Sequence, residues 1–212
     1  MQSGSLTGES HPWLTMAFSP RRTIRRIVAR KPKRSLTRVA ALMGVVSMLG
    51  QLSSSGAGDH LILPLLLIIA FVGGSLLGVV VNYCMGLVLN WVGAKLGGHA
   101  SVDSVRAAYA WCWIPSIWGL ALWLPAIAVF GSELFSRAGP AIDAGVWRVI
   151  TYIGFFVVEF VAGTWSLVLF IVNISEVEEF SVWRSLATVL LSLMIILAVF
   201  AGVGAFISGL RL

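Results

Sequence analysis

The sequence predicts an all-α polytopic membrane bundle of five transmembrane helices, preceded by an amphipathic interfacial helix. Three observations carry this. Of 212 residues, 58% are apolar. Only 11% are charged, less than half the share of roughly 25% in a soluble domain. The apolar residues fall in long runs separated by short polar stretches, and about 20 apolar residues span a bilayer. The composition excludes a water-soluble globule, and its hydrophobicity excludes disorder. The length holds five or six spans, too few for most large transporters unless the chain dimerises.

The net charge of +6 is concentrated. Residues 21–38 hold nine Lys or Arg and no acid, which leaves −3 for the rest. Residues 1–12 read as a disordered tail and 13–34 as a basic amphipathic interfacial segment. At 100° per residue, Ile24, Ile27 and Val28 share one side of a helix around Arg21–Arg30. Arg22, Arg25, Arg26 and Arg30 take the other, with Arg21 at the border. Such a helix lies in the interface, its arginines on anionic headgroups. Arg21, Arg22, Arg25, Arg26, Arg30, Lys31, Lys33 and Arg34 are therefore the candidate headgroup-binding residues. The alternative is a solvated basic arm. The block directly precedes an apolar run and no recognition motif accompanies it, so it points to anionic lipid, not nucleic acid. The first 20 residues lack a charged segment followed directly by an apolar core, which predicts a retained first membrane helix.

The five-helix domain covers 35–210. The first span runs from Leu36 to Leu52, with Arg38 snorkelling from its end. QLSSSGAGDH (51–60) is a turn. The second run, 61–91, would reach about 46 Å as a straight helix, against about 30 Å of hydrocarbon. It must project, tilt or break, with Gly73–Gly74 as the weak point. Gly74 and Gly78 form a GxxxG spacing that lets another helix approach. KLGGHASVDS (95–104) is a loop in which Ser101 or Ser104 can cap a helix. The third span covers 107–130, with kinks expected at Pro115 and Pro125. Its Trp111, Trp113, Trp118 and Trp123 read mainly as lipid and interface packing. The fourth span covers 146–172, an acidic connector 174–185, and the fifth span 186–210. Trp91, Trp147 and Trp183 lie at span edges, where aromatic belts sit. The basic block places the N-terminus in the cytoplasm.

Glu159 is the one acid well inside a span and should face protein or water. It lines up at helical spacing with Gly163, Ser166, Phe170 and Asn173. Two readings stand: a proton- or cation-sensitive site, or a hydrogen bond to Tyr83 or Asn82 on another helix. Asn82, Gly86 and Asn90 share one face of the second run and read as interhelical glue or a ligand pathway. The candidate polar site is thus Glu159, Asn82, Tyr83, Asn90, Ser166 and Asn173. The candidate packing glycines are Gly74, Gly78, Gly86 and Gly163. His11, His60 and His99 are scattered, and Cys84 and Cys112 read as small hydrophobes. No metal site, cofactor or catalytic motif is expected.

Three stretches together resemble the Yip family of five-span membrane proteins, whose eukaryotic members bind Rab-type GTPases. YCMGLVLNWVGAKLGGHASVDSVRAAYAWCWIP (83–115) is similar to the family's long second helix, Gly-Gly turn, amphipathic lead-in and Pro-led third helix. TWSLVLFIVNISEVEEFSVWRSLATVL (164–190) resembles its Trp-containing fourth helix, acidic connector and Arg-led fifth helix. HPWLTMAFSPRRTIRRIV (11–28) resembles the start of bacterial members. The Asp-Leu-Tyr-Gly-Pro motif of eukaryotic members is absent, so the resemblance implies a bacterial inner-membrane protein. The expected role is a non-enzymatic scaffold binding anionic lipid and protein partners, either a second copy of the chain (a homo-oligomer) or other membrane proteins. The alternative is a small permease or ion- or lipid-handling protein built around Glu159.

Overall fold

The computed structural model describes residues 12–30, 33–139 and 145–209, and these are helical wherever they are regular. The expected tail 1–12 lies almost wholly outside this range, as does Lys31; the side chains of Lys33 and Arg34 are also outside it. Five stretches are long and apolar enough to cross a membrane.

The basic segment forms two helices, α1 (Pro12–Phe18) and α2 (Pro20–Arg30). Pro20 starts the second, where its missing N–H is harmless. The apolar side of α2 is covered by the bundle, not by lipid as the sequence suggests. Ile24 and Ile27 are buried in one core with Val105 of α6 (Val102–Trp111) and Phe170 and Ile174 of α8 (Val146–Val177). Trp13 stacks on Trp111 with centroids 5.6 Å apart. Trp165 Nε1 donates to the Ala17 carbonyl at 3.2 Å.

The first span is α3 (Lys33–Ser55), a turn longer at its start than hydropathy indicates, because Lys33 and Arg34 extend the helix beyond the apolar run. The second run does not break at Gly73–Gly74. It continues as α4 (Leu63–Ile68), a π-helical turn (Ile69–Gly73) and α5 (Gly74–Lys95), with Gly73 and Gly74 both in the αR region. The lesion at the expected place is thus one widened turn, which keeps the backbone bonded inside the membrane. Leu63–Lys95 is 33 residues, about 50 Å at 1.5 Å per residue, so the helix projects beyond the hydrocarbon. Gly97, at φ +87, ends it, and the Gly98 N–H returns to the Gly93 carbonyl at 2.9 Å.

The third span is two helices, not one kinked helix. Ser101 caps α6, accepting from the Ser104 N–H at 3.2 Å. The chain bends at Cys112–Trp113, and α7 (Ile114–Phe130) restarts with Pro115 near its N-terminus. Pro115 cannot donate to a preceding turn, so it opens a helix where it would have broken one. α8 runs through Val177, so the first residues of the supposed connector are its last turn. Glu179, at φ +57, closes it, with the Phe180 N–H on the Ser175 carbonyl at 3.2 Å. The fifth span, α9 (Val182–Gly209), follows.

Trp111 and Trp123, read from sequence as lipid and interface packing, are buried in the protein. Trp123 anchors a second core at the opposite end, meeting Phe155 edge-on at 5.1 Å. Trp91, Trp147 and Trp183 are exposed at helix ends. Cys112 is buried and Cys84 is exposed.

Candidate functional site at the basic end

The ends of α5 and α8, with α1, α2 and α6, meet at the end of the bundle that carries the basic arm. Arg22, Arg26 and Arg30 of α2 are exposed. Arg21 and Arg25 turn to Glu176: Arg25 Nε donates to its Oε1, and Arg21 Nε lies 4.0 Å from Oε2. The Glu176 side chain is 5% exposed while that of Arg25 is 76% exposed. The pair therefore matters less as a surface ion pair than as compensation for a carboxylate withdrawn from water.

Two residues on, Glu178 performs a second attachment that the sequence reading missed. It is 1% exposed. Its Oε2 accepts the Ala100 N–H at 3.1 Å. It fits because Gly93 and Gly98 lack side chains: a Cβ at Gly93 would stand 2.5 Å from Glu178 Oε1, and one at Gly98 would also collide. Burial pushes its carboxyl above the usual 4.5, and the Ala100 N–H and His99 pull the other way.

The polar residues predicted inside the spans do not converge. Asn82 Nδ2 donates to the Arg106 carbonyl at 3.0 Å, and Asn90 Nδ2 to the Ala100 carbonyl at 2.7 Å, both tying α5 to the α6 region. Ser166 meets Ser116 of α7 at 3.0 Å. Asn173 Nδ2 donates to the Ala108 carbonyl at 3.3 Å. Together they join three different pairs of segments, as interhelical polar glue does. Glu159 does not bond the partners expected for it: Asn82 is on the Arg106 carbonyl and Tyr83 lies under Arg106. Glu159 lies between α8 and α7, where a Cβ on Gly119 would stand 2.5 Å from its Oε1. Trp123 is alongside.

The four predicted glycines also separate. Gly74 and Gly78 sit on Gly44 of α3. A Cβ at Gly78 would be 2.5 Å from Gly44 Cα, and one at Gly74 would be 2.8 Å from the Gly44 oxygen. Gly86 seats a side chain instead of a helix: a Cβ there would collide with Arg106 Cγ. Gly163 has nothing within 4 Å of its would-be Cβ among the described residues, so it packs against no other described helix of this chain.

Arg106, absent from the sequence candidates, is the second missed residue. It is 8% exposed. Its guanidinium lies 3.3 Å above the Tyr83 ring, and its Nη1 donates to Asp103 Oδ1 at 3.0 Å. The only sequence signal for it is an Asp–Arg pair spaced i,i+3 at the mouth of a span. Among the described residues no three His, Cys, Asp or Glu side chains gather as metal ligands.

No curated protein and no solved structure matches the chain. The model of the Yip1 domain family matches residues 13–203, which carry α1 through the five spans. The chain belongs to the Yip1 domain family of multi-span membrane proteins.

Proposed function

We propose that the chain is a non-enzymatic membrane organiser whose docked basic arm binds anionic headgroups. On this reading it sits in a bacterial inner membrane with its N-terminus in the cytoplasm, where the positive-inside rule puts nine basic residues. One observation carries the reading. The apolar side of α2 is covered by α6 and α8 while Arg22, Arg26 and Arg30 stay exposed. The helix α2, its apolar side already covered, brings charge to a membrane contact, and Leu14 and Phe18 of α1 stay exposed beside it. The exposed apolar faces of α8 and α9 suit a second copy or another membrane protein.

The test is lipid retention by the purified full chain, titrated with phosphatidylglycerol and phosphatidylcholine. A basic residue near an anionic surface contributes about 1 kcal/mol. Replacing Arg22, Arg26 and Arg30 by Gln should therefore weaken phosphatidylglycerol binding by about a hundredfold at low salt. The difference should shrink at about 1 M salt, where screening reaches within about 3 Å. Equal binding of both lipids, insensitive to salt, overturns the proposal.

One observation favours the permease reading: Glu159 Oε1 is buried with no hydrogen-bond partner among the described residues. Reconstituted flux decides it. Identical flux in wild type, Glu159→Gln and Glu159→Ala removes Glu159 from any pathway.

A further inference from the structure

Between the arm and the mouth of the third span lies a cavity of about 430 Å³, a volume in the range of small-ligand sites. Ile27, Val28 and Leu36 form its apolar wall, and Arg106, Asp103 and Tyr83 its polar wall. The exposed arm arginines are not among its lining residues.

Arg106 is a buried cation with unused capacity. A guanidinium has five N–H donors. One is on Asp103, the face is on Tyr83, and Nε has no acceptor among the described residues. A buried cation whose donors are left over is a strong attractor for an oxyanion. Asp103 differs: its side chain is 67% exposed. Oδ1 is taken by Arg106, while Oδ2 has no partner among the described residues. Among the described residues the cavity thus offers one cation and one anion a helical turn apart, and their charges cancel.

The charged residues of the polar wall belong to the first turns of the third span, which begins at Val102, with Asp103 and Arg106 at its mouth. The apolar wall beside it comes from α2 and α3.

We infer that this cavity binds one zwitterionic phospholipid carrying a primary ammonium, its phosphodiester on Arg106 and its ammonium on Asp103. An anionic lipid would leave a net negative charge in the site and Asp103 opposite a hydroxyl. A choline headgroup brings the positive charge but no N–H to donate to the carboxylate. The acyl chain runs along Ile27, Val28 and Leu36. This site is separate from the arm's exposed face, so the two fail independently.

The experiment is native mass spectrometry of the delipidated full chain, titrated with phosphatidylethanolamine, phosphatidylglycerol and phosphatidylcholine of identical acyl chains. The first phosphatidylethanolamine should bind about tenfold more tightly than either other lipid, about 1.4 kcal/mol. Asp103→Asn, which keeps an acceptor for Arg106, should reduce that preference to near unity. Val28→Trp, which fills the cavity and leaves both charges, should abolish the first binding step. The Arg22, Arg26 and Arg30 to Gln variant should leave it unchanged. No preference in the wild type, a preference for phosphatidylglycerol, or an undiminished preference in either Asp103→Asn or Val28→Trp overturns the inference.

Discussion

Gly78→Ala tests the closest helix crossing in the bundle. A Cβ at Gly78 would stand 2.5 Å from Gly44 Cα and 2.7 Å from Gly44 N, and closer still to the Ala40 oxygen. Carbon contacts are comfortable at about 3.5–4.0 Å, so α3 and α5 must part by about 1 Å. Every atom met is backbone, so no side chain can swing aside. A gap of about 1 Å forfeits up to half of each pair attraction along the seam, and overpacking typically costs about 1–3 kcal/mol. The upper end applies, about 3 kcal/mol. Replacing Gly by Ala in a helix returns about 1 kcal/mol, leaving about 2 kcal/mol of net destabilisation. Gly163→Ala is the matched control, because nothing lies within 4 Å of its Cβ; it should gain about 1 kcal/mol. Gly74→Ala should fall between them, its nearest contact being 2.8 Å. Unfolding of each variant in mixed detergent measures all three. If Gly78→Ala and Gly163→Ala agree within about 0.5 kcal/mol, the error typical of such comparisons, the close-approach reasoning is wrong.

Glu178 has a carboxyl raised by burial, so the folded state holds its proton more tightly than the unfolded one. Its contribution to stability is full below the usual 4.5 and is lost as pH rises through the folded value. Glu178→Gln should therefore melt higher than wild type at neutral pH and alike near pH 4, while Glu178→Ala, which orphans the Ala100 N–H, should lose about 1–3 kcal/mol. Glu179 holds a left-handed conformation at φ +57, where a non-glycine residue is strained by about 1–2 kcal/mol. Glu179→Gly should raise the melting temperature, and a drop would show that its side chain matters more than its backbone. Glu159→Gln should stabilise the fold, since a carboxylate in a span carries about 2.5–3.5 kcal/mol of insertion penalty and Glu159 makes no ion pair among the described residues; an unchanged unfolding curve would show that water already reaches it.

The fold was legible because membrane spans are written in composition. All five spans stand where hydropathy puts them, and the Gly74–Gly78 spacing marks a true helix contact. What escaped was everything that depends on which helix faces which. Pro115 reads as a kink but opens a new helix, because the residues before it had already turned at Cys112–Trp113. Trp111 and Trp123 read as lipid and interface packing because Trp is common at interfaces, yet both are buried inside the bundle. Gly163, placed by sequence in a stripe with Glu159 and Ser166 and not in a GxxxG spacing, has nothing among the described residues within 4 Å of its would-be Cβ. Glu159 was paired with Asn82 and Tyr83 as the nearest polar groups by type, but α8 presents it to α7. Arg106 and Glu178 were invisible as sites. Their rooms are made by Gly86, Gly93 and Gly98, glycines on a different helix or loop.

The charge pattern acquires a different meaning once the helices are placed. The basic segment seemed to offer all its cations to the membrane. In the structure Arg21 and Arg25 answer Glu176, on the last turn of α8. The same turn ends in Glu178, fastened to Ala100. Two acids two residues apart thus hold the arm on one side and the α5–α6 loop on the other. Removing the Glu176 charge would free Arg21 and Arg25 for a lipid headgroup, while Ile27 stays buried against α6 and α8 with Val28 packed beside it. The arm's charge can therefore change while the apolar packing of α2 stays in place.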